Sequence, residues 1–275
     1  MKTILVPTDF STTAQNAAEY AIGLAKHIDA QVIFLHVFDV PVVVTDIPVV
    51  INDYEEFEQI KKQQLENYEH KLIAKHGKDL IISSILRPGF INNEIQDVIK
   101  EKKVDLIVMG ITGAGKVPEL LIGSNVSRVI QSVDCPIITI HDDVKFHTIK
   151  KIAFACDYDD IEESQALDKL IEFVKLLKAK LQLINIINPV EKPNYKKELS
   201  GALLEHIFDK VNHTVSFSKN EDITEGINNF VDQHGTDMLV MLPKKHSFFS
   251  RLFNEPNTKK MAFHTHVPLL TIHNQ

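Results

Sequence analysis

Short runs of Val, Ile and Leu with little polar alternation recur along this chain, separated by longer stretches with helical spacing. The first part reads as strand (TILVPTD), helix (12–28), strand (QVIFLHVF), helix (about 54–76) and strand (LIISSIL). It continues as helix (91–102), strand (DLIVMG), helix (about 123–132) and strand (PIITIH). Apolar runs without alternation mark strands covered on both faces. Strands alternating with helices predict right-handed crossovers and a parallel sheet.

The pattern then repeats. VDLIVMG with its closing CPIITIH returns as TDMLVML with VPLLTIH. Asp105 matches Asp237, Met109 matches Met241, Pro136 matches Pro268 and His141 matches His273, each pair 132 residues apart. Near the start KTILVPTD matches KKIAFACD, but here Asp9 and Asp157 are 148 apart, so the second copy is sixteen residues shorter in its middle. The Val- and Pro-rich stretch at 40–52 has no clear partner and is the expected place of the loss. The expected fold class is α/β: two tandem, open, doubly wound domains, each a five-stranded parallel sheet with helices on both faces. The boundaries expected are 1–142 and 149–275, with the polar HDDVKFHT at 141–148 as connector.

Charge narrows the partners. The net charge of −7 over 275 residues argues against a nucleic-acid or anionic-membrane surface, which needs clustered Lys and Arg. The pairs Lys61-Lys62 and Lys196-Lys197 sit among acidic residues and read as solvated helix faces. No apolar span reaches the ~18 residues of a membrane helix. The apolar run in MKTILVPTDFS is too short for a secretory segment and reads as an opening strand. Cys135 and Cys156 lie in or beside apolar strands, as buried free thiols, and a reducing cytoplasmic setting is expected.

The candidate chemistry is a loop. In open α/β sheets ligands bind beyond the carboxyl ends of the strands, near the switch in strand order. Gly110 and Gly113 follow the fourth strand, where the absence of a Cβ lets the backbone turn with positive φ and approach a ligand closely. Gly123 and Ser124 stand where the next helix begins, and free N–H groups at a helix start bind phosphate. Ser124 and Asn125 can add donors, or simply cap the helix. Asp9, at the end of strand one, can accept from a ribose hydroxyl or an amine, or serve as a turn or cap residue. GITGAGKV at 110–117 nearly spells a P-loop, but Val117 lacks the hydroxyl for magnesium and Pro118 removes an N–H. That reading fails on mechanism.

The spacing Gly-x2-Gly-x9-Gly-[Ser/Thr], filled by Gly110, Gly113, Gly123 and Ser124, resembles the nucleotide signature of the universal stress protein family. The opening PTD, the HV ending strand two and the closing CPIITI resemble the family as well, and the likeness covers the chain twice. The chain is thus identified as similar to a tandem member, whose fold is Rossmann-like, of the adenine nucleotide alpha-hydrolase type. The resemblance implies that ATP, or ADP or AMP, lies across the strand ends of copy one, with magnesium accompanying the phosphates. It implies that Pro7, Thr8, Asp9 and Val37 contact adenine and ribose, and that Met109 and Gly110 line the ribose side. Gly113, Gly123, Ser124 and Asn125 would hold the phosphates. Single-domain members pair, so the two copies are expected to pack as an intramolecular pseudo-dimer, with a homodimer also open.

Copy two departs from the signature. Gly110, Gly113, Gly123 and Ser124 become Leu242, Lys245, Glu255 and Pro256, which puts a carboxylate against phosphate and deletes an N–H. Copy two is expected not to bind ATP in the family manner. Its loop PKKHSFFSRLFNEPN offers Phe248, Phe249 and Phe253 either to fill the groove or to serve another ligand. His264 and His266 lack further ligands for a metal site, and no catalytic motif occurs. His36 lies near the expected adenine cleft or packs as a core histidine. Three functions follow: an ATP-binding sensor or adaptor, favoured; a weak ATPase acting through Lys116 and Asp9; or a nucleotide-free binder of an apolar metabolite or an unknown protein partner through copy two. No catalytic residue is assigned.

Overall fold

The computed structural model describes residues 1–39, 54–77, 79–111, 124–156, 164–187, 189, 204–242 and 266–273. Its first half runs β1 (Thr3–Pro7), α1 (Thr12–Ile28), β2 (Gln31–Phe38), α2 (Tyr54–His76) and β3 (Ile82–Pro88). It continues through α3 (Ile91–Lys102), β4 (Leu106–Ile111), α4 (Ser124–Ser132) and β5 (Ile137–His141). The second half holds β6 (Lys151–Ala155), α5 (Gln165–Leu177), β7 (Lys180–Ile187), a helical turn at 204–208 and β8 (His213–Lys219). It ends with α6 (Ile223–His234), β9 (Met238–Met241) and β10 (Leu269–Thr271). The helices of the first half lie where the spacing of apolar residues placed them.

The strand order is β3-β2-β1-β4-β5-β10-β9-β6-β7-β8. Each half is a five-stranded parallel sheet, as expected, but the two are not separate. β5 and β10 pair antiparallel and merge them into one ten-stranded sheet. In that pair Ile138 lies opposite Leu270, and Ile137 and Thr139 lie opposite Thr271 and Leu269. Ile138 and Leu270 are 132 residues apart, so each is the other's copy in the repeat. A residue opposite its own copy marks a twofold axis, here passing between the central residues of β5 and β10.

Alternation along the strands divides the core between two faces. Ile4, Val6, Ile138, Ile152 and Leu270 pack beneath α1, α2 and α5. Leu5, Ile107, Ile137, Leu239 and Leu269 pack beneath α3, α4 and α6. Both clusters run through β5 and β10, so the core is continuous across the twofold.

The repeat also explains its own acidic pair. Asp105 Oδ2 accepts from the backbone N–H groups of Lys2 (2.7 Å) and Thr3 (3.0 Å), and Asp237 Oδ2 accepts from those of Lys150 (2.7 Å) and Lys151 (2.8 Å). Each carboxylate ties the start of its half's first strand to the fourth. The shortening of the second copy falls in the crossover from its second strand to its third, residues 188–212 against 39–81. The stretch at 40–52 lies outside the described residues. Both cysteines are buried and outside any disulfide, and burial pushes the Cys135 thiol up to about 12, so it is inert. Among the described residues no helix is long and apolar enough to cross a membrane.

Candidate functional site

Strand order in the first half reverses between β1 and β4, and their carboxyl ends open a cleft there. The cleft has a volume of about 690 Å³. The first segment to enter it is the turn after β1. Thr8 Oγ1 accepts from the Phe10 N–H (3.1 Å), Asp9 Oδ1 accepts from the Ser11 N–H (3.0 Å), and Ser11 Oγ caps α1 through the Ala14 N–H (3.2 Å). These short-range bonds hold Phe10 at φ 63, a left-handed value unusual for a residue with a Cβ. Asp9 is therefore a turn residue, and its exposed carboxylate also faces the cleft. Ser11, not Asp9, caps the helix.

His36 holds this turn from behind. Its Nδ1 lies 2.8 Å from the Thr8 carbonyl, so that nitrogen carries the proton, and its ring packs 4.5 Å from that of Phe10. Burial lowers its pKa, against a smaller raising effect of the Thr8 hydrogen bond. In the second half Cys156 takes the place of Thr8 and Asn185 that of His36, and Asn185 Nδ2 donates to the Cys156 carbonyl at 3.0 Å. A histidine replaced by an amide doing the same work is a packed, hydrogen-bonding residue.

Gly110 sits in β4 and not in a turn. Its φ is not positive, which corrects the reason given for it from sequence. A Cβ at Gly110 would lie 2.5 Å from the Thr13 carbonyl oxygen and 2.7 Å from Thr13 Cγ2. Glycine is needed so that the first turn of α1 can close against the strand end. In the second half Leu242 stands here and packs on the core, while α5 begins at Gln165, a turn later than α1 under the same alignment.

The cleft brings together Pro7, Thr8, Asp9, Val37, Met109, Gly110 and Asn125. Ser124 opens α4 beside them. Gly113 and Gly123 lie outside the described residues, as do Lys116, Lys245, Glu255, Pro256 and the three loop phenylalanines of copy two.

Sequence reasoning missed the β3–α3 corner. Phe90, Asn92 and Asn93 line the cleft, and Phe90 caps α3 without a side-chain hydrogen bond. The signal available was Gly89, which takes φ 131 directly after a strand, followed by two asparagines at a helix start. Arg128, one turn into α4, also lines the cleft and is exposed.

Three helix N-termini, those of α1, α3 and α4, thus converge on one cleft. Their aligned peptide dipoles favour negative charge. Val37 and Met109 supply apolar wall, Asp9 and Asp39 supply carboxylates at the rim, and Arg128 supplies a cation. Such a site suits a ligand with a flat apolar part, hydroxyls and an anionic tail.

A family model described as the universal stress protein family matches residues 1–141. Universal stress protein MJ0531 of Methanocaldococcus jannaschii is 33% identical over 141 residues, covering 50% of this chain and 81% of that protein. Universal stress protein Slr1230 of Synechocystis is 23% identical over an alignment of 300 positions, covering 98% of this chain and 99% of its own. Among solved structures, a universal stress protein from Archaeoglobus fulgidus superposes with a TM-score of 0.75 at 17% identity, covering 98% of both chains, a likeness of fold.

Proposed function

The chain belongs to the universal stress protein family, and from that premise we propose that its first half binds an adenine nucleotide and acts as a nucleotide-dependent sensor or adaptor in a stress response. The observation that carries this reading is the convergence of three helix N-termini on the cleft at the β1–β4 switch. Base and ribose lie between Val37, the Pro7–Asp9 turn and Met109, and the phosphates lie toward α4 and Arg128. The residues fit the group. Gly110 leaves no side chain at the strand end, and Asp9 can take a ribose hydroxyl with the oxygen its turn does not use. ATP would bring its own magnesium with the phosphates, and AMP and ADP would satisfy the same base pocket.

Binding fits this site better than turnover. His36, the histidine behind the cleft, is buried and commits Nδ1 to the Thr8 carbonyl, so it is not placed to activate water. We assign the nucleotide to a unit spanning 1–142, and a silent, supporting role to 149–275, its partner across the twofold.

Calorimetric titration of the nucleotide-stripped chain with ATP and magnesium tests the reading. One site per chain, abolished by Gly123→Glu, is expected. Two sites would show that the second half binds as well, and no binding by folded protein would remove the proposal. Phosphate release above background, lost in Lys116→Ala, would replace the sensor by a slow ATPase.

A further inference from the structure

The segment joining the two halves fills a groove whose twofold counterpart is, among the described residues, an open cavity. After β5 it runs along α1: Asn16 Nδ2 donates to the carbonyls of His141 (2.7 Å) and Val144 (2.9 Å), and Lys145 Nζ donates to Asn16 Oδ1. The Phe146 ring stands edge-on to Tyr20 at 5.3 Å and lies 6.3 Å from the His27 ring. It approaches the helix so closely that a Cβ on Gly23 would be 2.5 Å away. His147 Nδ1 then lies 3.7 Å from Asp237 Oδ1, the oxygen this carboxylate does not use to hold β6.

The twofold carries α1 onto α5 with a shift of 149 residues. Both helices end in a left-handed residue, Asp29 and Lys178, and the buried Ala17, Leu24 and Ile28 fall on the buried Ala166, Phe173 and Leu177. Tyr20, Gly23 and His27 therefore map onto Lys169, Glu172 and Leu176, and Asp237 maps onto Asp105. All four of these counterparts line one cavity of about 720 Å³ between α5 and the first half. Its apolar wall comes from both halves, including Val104, Phe173, Leu270 and Ile272. Leu176 shows 36% of its surface there, as an unfilled seat for the ring would require.

We propose that this cavity is a docking site for an extended segment of a partner protein that presents an aromatic side chain followed by a cation. In the filled groove Phe146 presents the ring, and the His147 imidazole stands at the place of the cation, 3.7 Å from Asp237 Oδ1. Asp105 reproduces Asp237 atom for atom, with Oδ2 spent on two backbone N–H groups, and its second carboxylate oxygen receives the cation. Leu176 and the Lys169 stem take the ring, while the Lys169 ammonium donates to the Asp134 carbonyl. Glu172 in place of Gly23 holds the ring further from the helix and adds a second carboxylate for the cation. The site is separate from the nucleotide cleft and owes nothing to it.

The test is a methyl NMR titration of the full chain with a synthetic peptide copying residues 141–149. Saturable shifts at Ile99, Leu176, Leu270 and Ile272 are expected. A peptide carrying Phe146→Ala should bind roughly tenfold more weakly or worse, since most of the ring's burial is lost. Leu176→Glu in the protein should abolish the shifts with an unchanged unfolding midpoint, because that side chain is already exposed. Shifts confined to residues around Tyr20 and His27 would mean only that the peptide displaces the connector, and would overturn the proposal. Equal binding of the alanine peptide, or no saturable shift at all, would do the same, and both readouts stand even if Leu176→Glu unfolds.

Discussion

Gly110→Ala is the substitution through which the fold and the site can be tested together. The added methyl would meet the Thr13 carbonyl oxygen at 2.5 Å, the Thr13 carbonyl carbon at 2.8 Å and Thr13 Cγ2 at 2.7 Å. Rotating the Thr13 side chain relieves only the last of these. The carbonyl belongs to the first turn of α1, whose N–H groups are tied to Ser11, so relief requires the helix start to move off the strand. Overpacking of this kind costs about 1–3 kcal/mol. Alanine returns about 0.4–1 kcal/mol by restricting the unfolded chain. The net expectation is a destabilisation of about 1.3 kcal/mol, or a fall in Tm of roughly 4 °C for a chain of this size. Urea unfolding measures the first figure and differential scanning calorimetry the second. The same movement opens the cleft between the Pro7–Asp9 turn and Met109, so ATP affinity should fall in parallel. Stability within about 0.5 kcal/mol of the parent, together with unchanged affinity, would refute the claim that this glycine exists to admit α1.

Two further outcomes follow from the site. His36→Asn, which installs the donor the second half already uses, should leave stability nearly unchanged at neutral pH. His36→Leu orphans the Thr8 carbonyl and should cost about 1–3 kcal/mol, both read by urea unfolding. Burial lowers the His36 pKa below its ordinary 6.5, so the unfolded chain takes up the proton first. The stability it contributes is therefore full above 6.5 and is lost as pH falls from there through the lowered folded value, a dependence that His36→Asn should remove. Arg128→Ala should weaken ATP binding about tenfold with little effect on Tm, because an exposed cation beside the α4 N-terminus contributes to the anion and not to the core; equal affinity by calorimetry would take it out of the site.

Much of this protein was legible from sequence because the signals concerned are local. The positions of α1 to α4 follow from apolar spacing within one segment, and the repeat follows from aligned residues such as Asp105 and Asp237. Asp9 was read as either ligand or turn residue, and its carboxylate both accepts from Ser11 and faces the cleft. The role of Gly110 was misread, since sequence shows that a Cβ is missing but not which neighbour requires the space. Phe90, Asn92 and Asn93 were missed because their part in the cleft depends on where β3 ends relative to β1, two strands away.

The sequence by itself determined that the chain carries two copies of one α/β unit, and that only the first keeps the glycine spacing of a phosphate loop. Periodicity and spacing are properties of a segment, and they survive without knowledge of what that segment touches. Only the tertiary structure decided that β5 and β10 pair antiparallel on a twofold axis, so that two sheets become one. It also decided that the connector fills one of two related grooves, the other being open among the described residues. Both outcomes depend on contacts between residues more than a hundred positions apart. Apolar strands such as PIITIH and VPLLTIH would pair equally well with many neighbours, and the partner is set by which edge remains uncovered once each half has folded.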